Sequence, residues 1–217
     1  MSLSHVNLIQ FKMKTLLLHY MPSGAESNTV KVFDLFLNAI KDQPLENVEE
    51  VNLLEEPMPI FDEASMQAYY KRNYGGKALD AAEVDLLAQN DYLIAQLKAA
   101  DVVVMAYPMH NFGMPAIVKA WLDAVVFKGE TFDPSKKMMA GKKILTIFTS
   151  GGVYPEDKFS FEFPNWNGLI LTAKANFTYM GFDEAEFVGA SLRDPATKDE
   201  RLAVAQKRIE EIVKKWY

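Results

Sequence analysis

An uninterrupted apolar run from Val102 to Tyr107, with Asp101 in front and Pro108 behind, predicts a strand covered on both faces, as in a parallel sheet. Beyond it the period becomes helical. Ile117, Trp121, Leu122, Val125 and Val126 recur on one helix face, and Pro115 stands at a first-turn position, where its missing N–H would have no partner anyway. Thr15 to Tyr20 is a second run of the buried type, and Ile144 to Phe148 is a third. Val48 to Leu53 alternates and ends at Glu55-Glu56-Pro57-Met58-Pro59, and Glu186 to Val188 reads as a short fifth strand. Helical faces lie between them: Val32, Phe33, Phe36, Leu37 and Ile40; Ala64 to Lys71 and Ala81 to Leu97, broken at Asn73 to Gly76; Pro164 to Tyr179; and Asp199 to Trp216. Phe127 to Ala140 reads as a polar excursion.

Strands alternating with helices predict an α/β three-layer sandwich with right-handed crossovers around a five-stranded parallel sheet. Five strands fit the flavodoxin-like order 2-1-3-4-5, whose ligand crevice opens between strands one and three, at their carboxyl ends. Three loops of unusual composition fall at such ends. Met21 to Thr29 is polar and small, with Ser23, Ser27, Asn28 and Thr29 feeding a helix, which suits an anion through exposed amides and the helix dipole. Plain N-capping by Ser27 or Asn28 explains the same residues, and Glu26 is expected to turn away from an anion. Pro108-Met109-His110-Asn111-Phe112-Gly113 is apolar and amide-rich, and Ser150-Gly151-Gly152 is small. The first two loops converge on one crevice in this topology.

Composition narrows the function class. The net charge of −6 over 217 residues argues against an electrostatically driven nucleic-acid binder. The paired lysines 136–137, 142–143 and 214–215 read as solvated surface. Without cysteine the chain has no disulfide or thiol chemistry, and cytoplasm is the expected compartment. No apolar stretch reaches the roughly 20 residues that span a bilayer, and three scattered histidines form no zinc spacing. His19, inside the first strand, reads as a core histidine with a satisfied hydrogen bond. Residues 1–12 read as an arm or remnant ahead of one domain over 13–217. Tyr69, Tyr70, Tyr74 and Tyr92 cluster in one insertion, as either a partner-facing or pocket-rim surface or ordinary helix packing.

The run Pro108 to Ala116, continued by Lys119-Ala120-Trp121-Leu122-Asp123, resembles the flavin-binding loop and helix of the FMN-dependent NADH azoreductases and the related NAD(P)H quinone reductases. Gly141-Lys142-Lys143 before a strand, then Ser150-Gly151-Gly152, is similar to the next family segment. The resemblance implies a homodimeric flavoenzyme with sites at the subunit interface. The FMN phosphate would lie at Ser23, Ser27, Asn28 and Thr29, and the ring against Pro108, Met109, His110, Asn111 and Phe112, with Ser150, Gly151 and Gly152 closing its pyrimidine side. NADH or NADPH would be co-substrate, and a quinone or azo compound the small aromatic acceptor, in a ping-pong sequence. Tyr154 is the one side chain expected to assist proton transfer or stacking.

Two departures stand out. His110 replaces the aromatic usual in azoreductases, and the stretch after Gly152 lacks the Tyr and His pair of the animal-type quinone reductases. A flavodoxin-type electron carrier and a non-catalytic binding module of the same fold are the competing readings. The aromatic insertion tells against the carrier, which has less need of a second wall over its flavin.

Overall fold

In the computed structural model, which describes residues 13–43, 45–152 and 168–217, the three continuous apolar runs form the middle of one sheet. β1 (Met13–His19), β3 (Val102–Pro108) and β4 (Lys143–Ser150) lie side by side, with β2 (Leu45–Asn52) outside β1 and β5 (Glu184–Ser191) outside β4. Every pairing is parallel, so the order is 2-1-3-4-5. Alternate residues of β3 enter opposite cores: Val103, Met105 and Tyr107 one, Val102, Val104 and Ala106 the other. That division is why the run is unbroken, since a strand covered on both faces has no solvent side to mark with polar residues.

α1 (Asn28–Ile40) and α6 (Lys198–Trp216) cover one face through Val32, Phe36, Ile209 and Val213. α2 (Glu63–Tyr69), α3 (Ala81–Ala99), α4 (Ala116–Val125) and α5 (Gly168–Met180) cover the other through Ala68, Leu87, Val118 and Leu169. Capping boxes from Asp62 and Asp80 start α2 and α3. Among the described residues, no helix is long and apolar enough to cross a membrane.

Several expected boundaries move. β2 begins at Leu45 and β5 continues to Ser191. Both are edge strands, partly exposed, so backbone pairing extends them where the apolar pattern is thin. α2 runs on into a π-helical turn, Tyr70–Tyr74, and the break falls at Gly75 and the left-handed Gly76. The arm at residues 1–12 and the expected start of α5 at Pro164 lie outside the described residues. The excursion from Phe127 to Ala140 is anchored rather than polar throughout. Phe127, Thr131, Phe132 and Met139 are buried, and Phe127 packs 4.4 Å from Tyr69 between ring centroids. Lys142 is not solvated surface either. Its ammonium donates to the carbonyls of Lys98 (2.8 Å) and Ala100 (2.5 Å) at the end of α3, and partial burial lowers its pKa. Of the four clustered tyrosines, Tyr69 is core and the other three are about half exposed.

Candidate functional site

The carboxyl end of β1 delivers the chain into a short 3-10 turn, Gly24–Glu26, and then α1. Gly24 takes φ +54, the left-handed region that glycine enters without steric cost. Ser27 is the N-cap of α1, and its hydroxyl accepts from the Thr29 N–H at 3.2 Å. The capping role is therefore present, and it leaves other first-turn N–H groups without an intrahelical acceptor. Thr29 has no exposed surface, and its Oγ1 lies 2.8 Å from Thr149 Oγ1 at the end of β4. It braces the start of α1 against the end of β4. Asn28 Oδ1 accepts from Lys31 Nζ at 2.9 Å. Desolvation, then the neighbouring Lys198, holds the Lys31 ammonium below the ordinary lysine value, and Glu26 opposes the shift.

After β3 the chain makes a closed turn. The His110 N–H donates to the Gly113 carbonyl (3.0 Å), and the Gly113 N–H donates back to the His110 carbonyl (2.9 Å). The residues between them, Asn111 (φ 47) and Phe112 (φ 64), are both left-handed, as a type I′ turn requires. Asparagine tolerates this conformation, whereas for phenylalanine it costs on the order of 1 kcal/mol. The turn is held from two sides. The Met109 N–H donates to the Thr149 carbonyl at 2.7 Å, and the start of α5 approaches so closely that a Cβ on Gly168 would lie 3.0 Å from the Phe112 carbonyl oxygen. The His110 ring meets Tyr20 edge-on, with centroids 5.9 Å apart. After β4, Ser150 Oγ donates to the Gly152 carbonyl at 2.6 Å and fixes the third loop.

These three loops line one cleft of about 500 Å³, within the range of small-molecule sites. Ser23, Ser27, Asn28 and Thr29 come from the first loop, Pro108, Met109 and His110 from the second, and Ser150 and Gly151 from the third. Asn111, Phe112 and Gly152 are not among the lining residues: the turn carries the first two past the lip, where both are exposed. Tyr154 lies outside the described residues. Four lining residues were not anticipated. Glu26, expected to turn away from an anion, is one of them, with Thr149, Leu192 and Arg193. A fifth strand read as ending at Val188 stops short of Arg193, so only the adjacency of β5 to β4 carries the signal.

His19 is only half satisfied. Its Nε2 lies 2.9 Å from Glu50 Oε1, while its buried Nδ1 has no hydrogen-bond partner. A second groove of about 610 Å³ runs from Pro59, Ile60, Phe61 and Met66 to Ala116, Lys119, Ala120 and Asp123 on α4. Ile60 is 83% exposed there.

A family model described as having the flavodoxin-like fold matches residues 13–213. The FMN-dependent NADH:quinone oxidoreductase of Shewanella loihica is 30% identical over 207 residues, covering 92% of this chain and 98% of the relative. The FMN-dependent NADH:quinone oxidoreductase 1 of Bacillus anthracis is 28% identical over 210 residues, covering 91% and 92%. Among solved structures, an FMN-dependent NADH-azoreductase from Bacillus anthracis in complex with FMN superposes with a TM-score of 0.78 at 27% identity, covering 93% of this chain and 98% of that one.

Proposed function

The chain belongs to the flavodoxin-like-fold family that includes the FMN-dependent NADH:quinone oxidoreductases, and on that premise we propose that it is an FMN-dependent NAD(P)H oxidoreductase reducing quinones or azo compounds by two-electron ping-pong transfer. The observation that carries this reading is the convergence of three loops, after β1, β3 and β4, on one cleft. The donor set fits the cofactor. One end offers small hydroxyls and the amide-bearing start of α1, suited to a phosphate. The other offers Met109, His110 and glycine-containing backbone, suited to a flat ring.

In this reading Ser23, Ser27 and Asn28 hold the phosphate, and Thr29 keeps the start of α1 in place through Thr149. Pro108, Met109 and His110 lie against the ring, Asn111 and Phe112 form the lip above it, and Ser150, Gly151 and Gly152 close its pyrimidine side with amides that favour negative charge there. FMN, when bound, would supply the two-electron hydride chemistry that links NADH or NADPH to the acceptor. The chain's own contribution is orientation, a fixed set of amide dipoles and exclusion of water. Tyr154 remains the side chain proposed to assist protonation or stacking.

We further place residues 13–217 in one domain and the protein in the cytoplasm, as a homodimer. The exposed Ile60 and the apolar groove beside α4 form a surface that a second copy would cover. A small aromatic acceptor would occupy the space between that surface and the ring. Steady-state oxidation of NADH or NADPH with menadione, at several fixed acceptor concentrations, tests the scheme. Parallel double-reciprocal lines that require added FMN support it, and intersecting lines or flavin-independent turnover contradict it.

A further inference from the structure

The first loop brings hydroxyls and amides to the cleft but no cationic side chain, and it brings Glu26. A phosphate monoester carries nearly two negative charges at neutral pH, and a helix N-terminus offsets only about half of one. A cation from elsewhere in the fold would offset the remaining charge. Arg193 supplies one: it follows β5 and lines the same cleft as Ser27, Asn28 and Thr29.

The other arginines are engaged. Arg72 makes a two-point contact with Asp91, Arg201 donates to the Ser191 carbonyl, and Arg208 pairs with Glu186. Among the described residues, Arg193 has no hydrogen-bond or ion-pair partner. The adjacent carboxylate does not neutralise it. Asp194 accepts from the Ala196 N–H (3.0 Å) and the Thr197 hydroxyl (3.3 Å), closing the turn into α6. That turn, with Arg201 holding the end of β5, sets the backbone from which Arg193 projects.

Resting on the FMN reading of the cleft, we propose that Arg193 is the guanidinium that binds the flavin's phosphate, reaching it from the segment that follows β5. A planar, permanently charged fork suits phosphate oxygens better than an ammonium does. The same chemistry would suit the 2′-phosphate of NADPH, so the test separates the two.

FMN and riboflavin, which lacks the phosphate, are titrated into flavin-free wild-type protein, R193A and R193K, with quenching of flavin fluorescence as the readout. Wild type is expected to prefer FMN. R193A is expected to lose roughly tenfold to hundredfold in FMN affinity while its riboflavin affinity stays within about twofold and its NADPH-to-NADH ratio of kcat/KM is unchanged. R193K should recover part of the loss. If R193A keeps the wild-type preference for FMN, the assignment is wrong. A shift in the nicotinamide ratio alone would move Arg193 to the co-substrate and likewise overturn it. Equal wild-type affinity for FMN and riboflavin would overturn the assignment alone, whereas wild-type protein that binds neither flavin would overturn the flavin reading of the cleft, and this assignment with it.

Discussion

Thr29 Oγ1 and Thr149 Oγ1 meet at 2.8 Å, a buried bond that joins the first turn of α1 to the end of β4 at the wall of the cleft. The bond couples two of the three loops that form the site. Replacing one partner with valine strands the other hydroxyl, at a cost of about 1–3 kcal/mol. Thr29→Val and Thr149→Val should each lower the urea midpoint, and the double variant should lose less than the two together. Strict additivity would mean that the hydroxyls do not depend on one another.

Asn111 occupies a left-handed turn position that aspartate also tolerates, so Asn111→Asp changes charge while keeping the backbone. With the turn at the lip of a flavin site, the variant should raise the FMN dissociation constant roughly threefold to tenfold and lower the flavin's midpoint potential. Fluorescence titration and equilibrium photoreduction against a reference dye measure both. If neither quantity moves, the turn does not lie beside the ring.

Glu26 lines the cleft at the end proposed for phosphate. Glu26→Gln removes the repulsion and should tighten FMN binding by about twofold to fivefold, with the gain shrinking as salt screens it. Weaker binding in Glu26→Gln would instead make the carboxylate a hydrogen-bond acceptor for the cofactor.

Burial pushes the phenols of Tyr69 and Tyr217 up to about 12 and that of Tyr107 in the same direction. In the unfolded chain tyrosine ionises near about 10. Between those values the folded state holds protons that the unfolded state has lost, so stability falls as pH rises from roughly 10 towards 12. The slope is on the order of 1 kcal/mol per pH unit for each tyrosine fully in that regime. Urea midpoints from pH 8 to 11.5 should be level and then fall, with a shallower fall in Tyr217→Phe. A level profile throughout would contradict this.

Much of the fold was legible because its central strands are buried on both faces: Thr15 to Tyr20, Val102 to Tyr107 and Ile144 to Phe148 announce themselves as apolar runs. β2 and β5, at the edges, mix exposed and buried positions, and their ends were misjudged. The meeting of the β1 and β3 loops followed from topology, since ligands gather where strand order reverses. Arg193 was missed because nothing local marks it; its place depends on β5 running on beside β4. The left-handed Phe112 was equally hidden, because phenylalanine is an unfavoured residue at positive φ and the turn's closure by His110 and Gly113 appears only in three dimensions. That Glu26 would line the cleft was equally unmarked, because its place there depends on the 3-10 turn before α1.

The central claim, that this cleft holds a flavin reduced by a nicotinamide and reoxidised by an aromatic acceptor, is tested by anaerobic spectrophotometry of the FMN-reconstituted protein. Addition of NADH or NADPH should bleach the flavin absorbance near full stoichiometry, and menadione should then restore it. Flavin that stays oxidised with both nicotinamides, or protein that retains no FMN, would contradict the account.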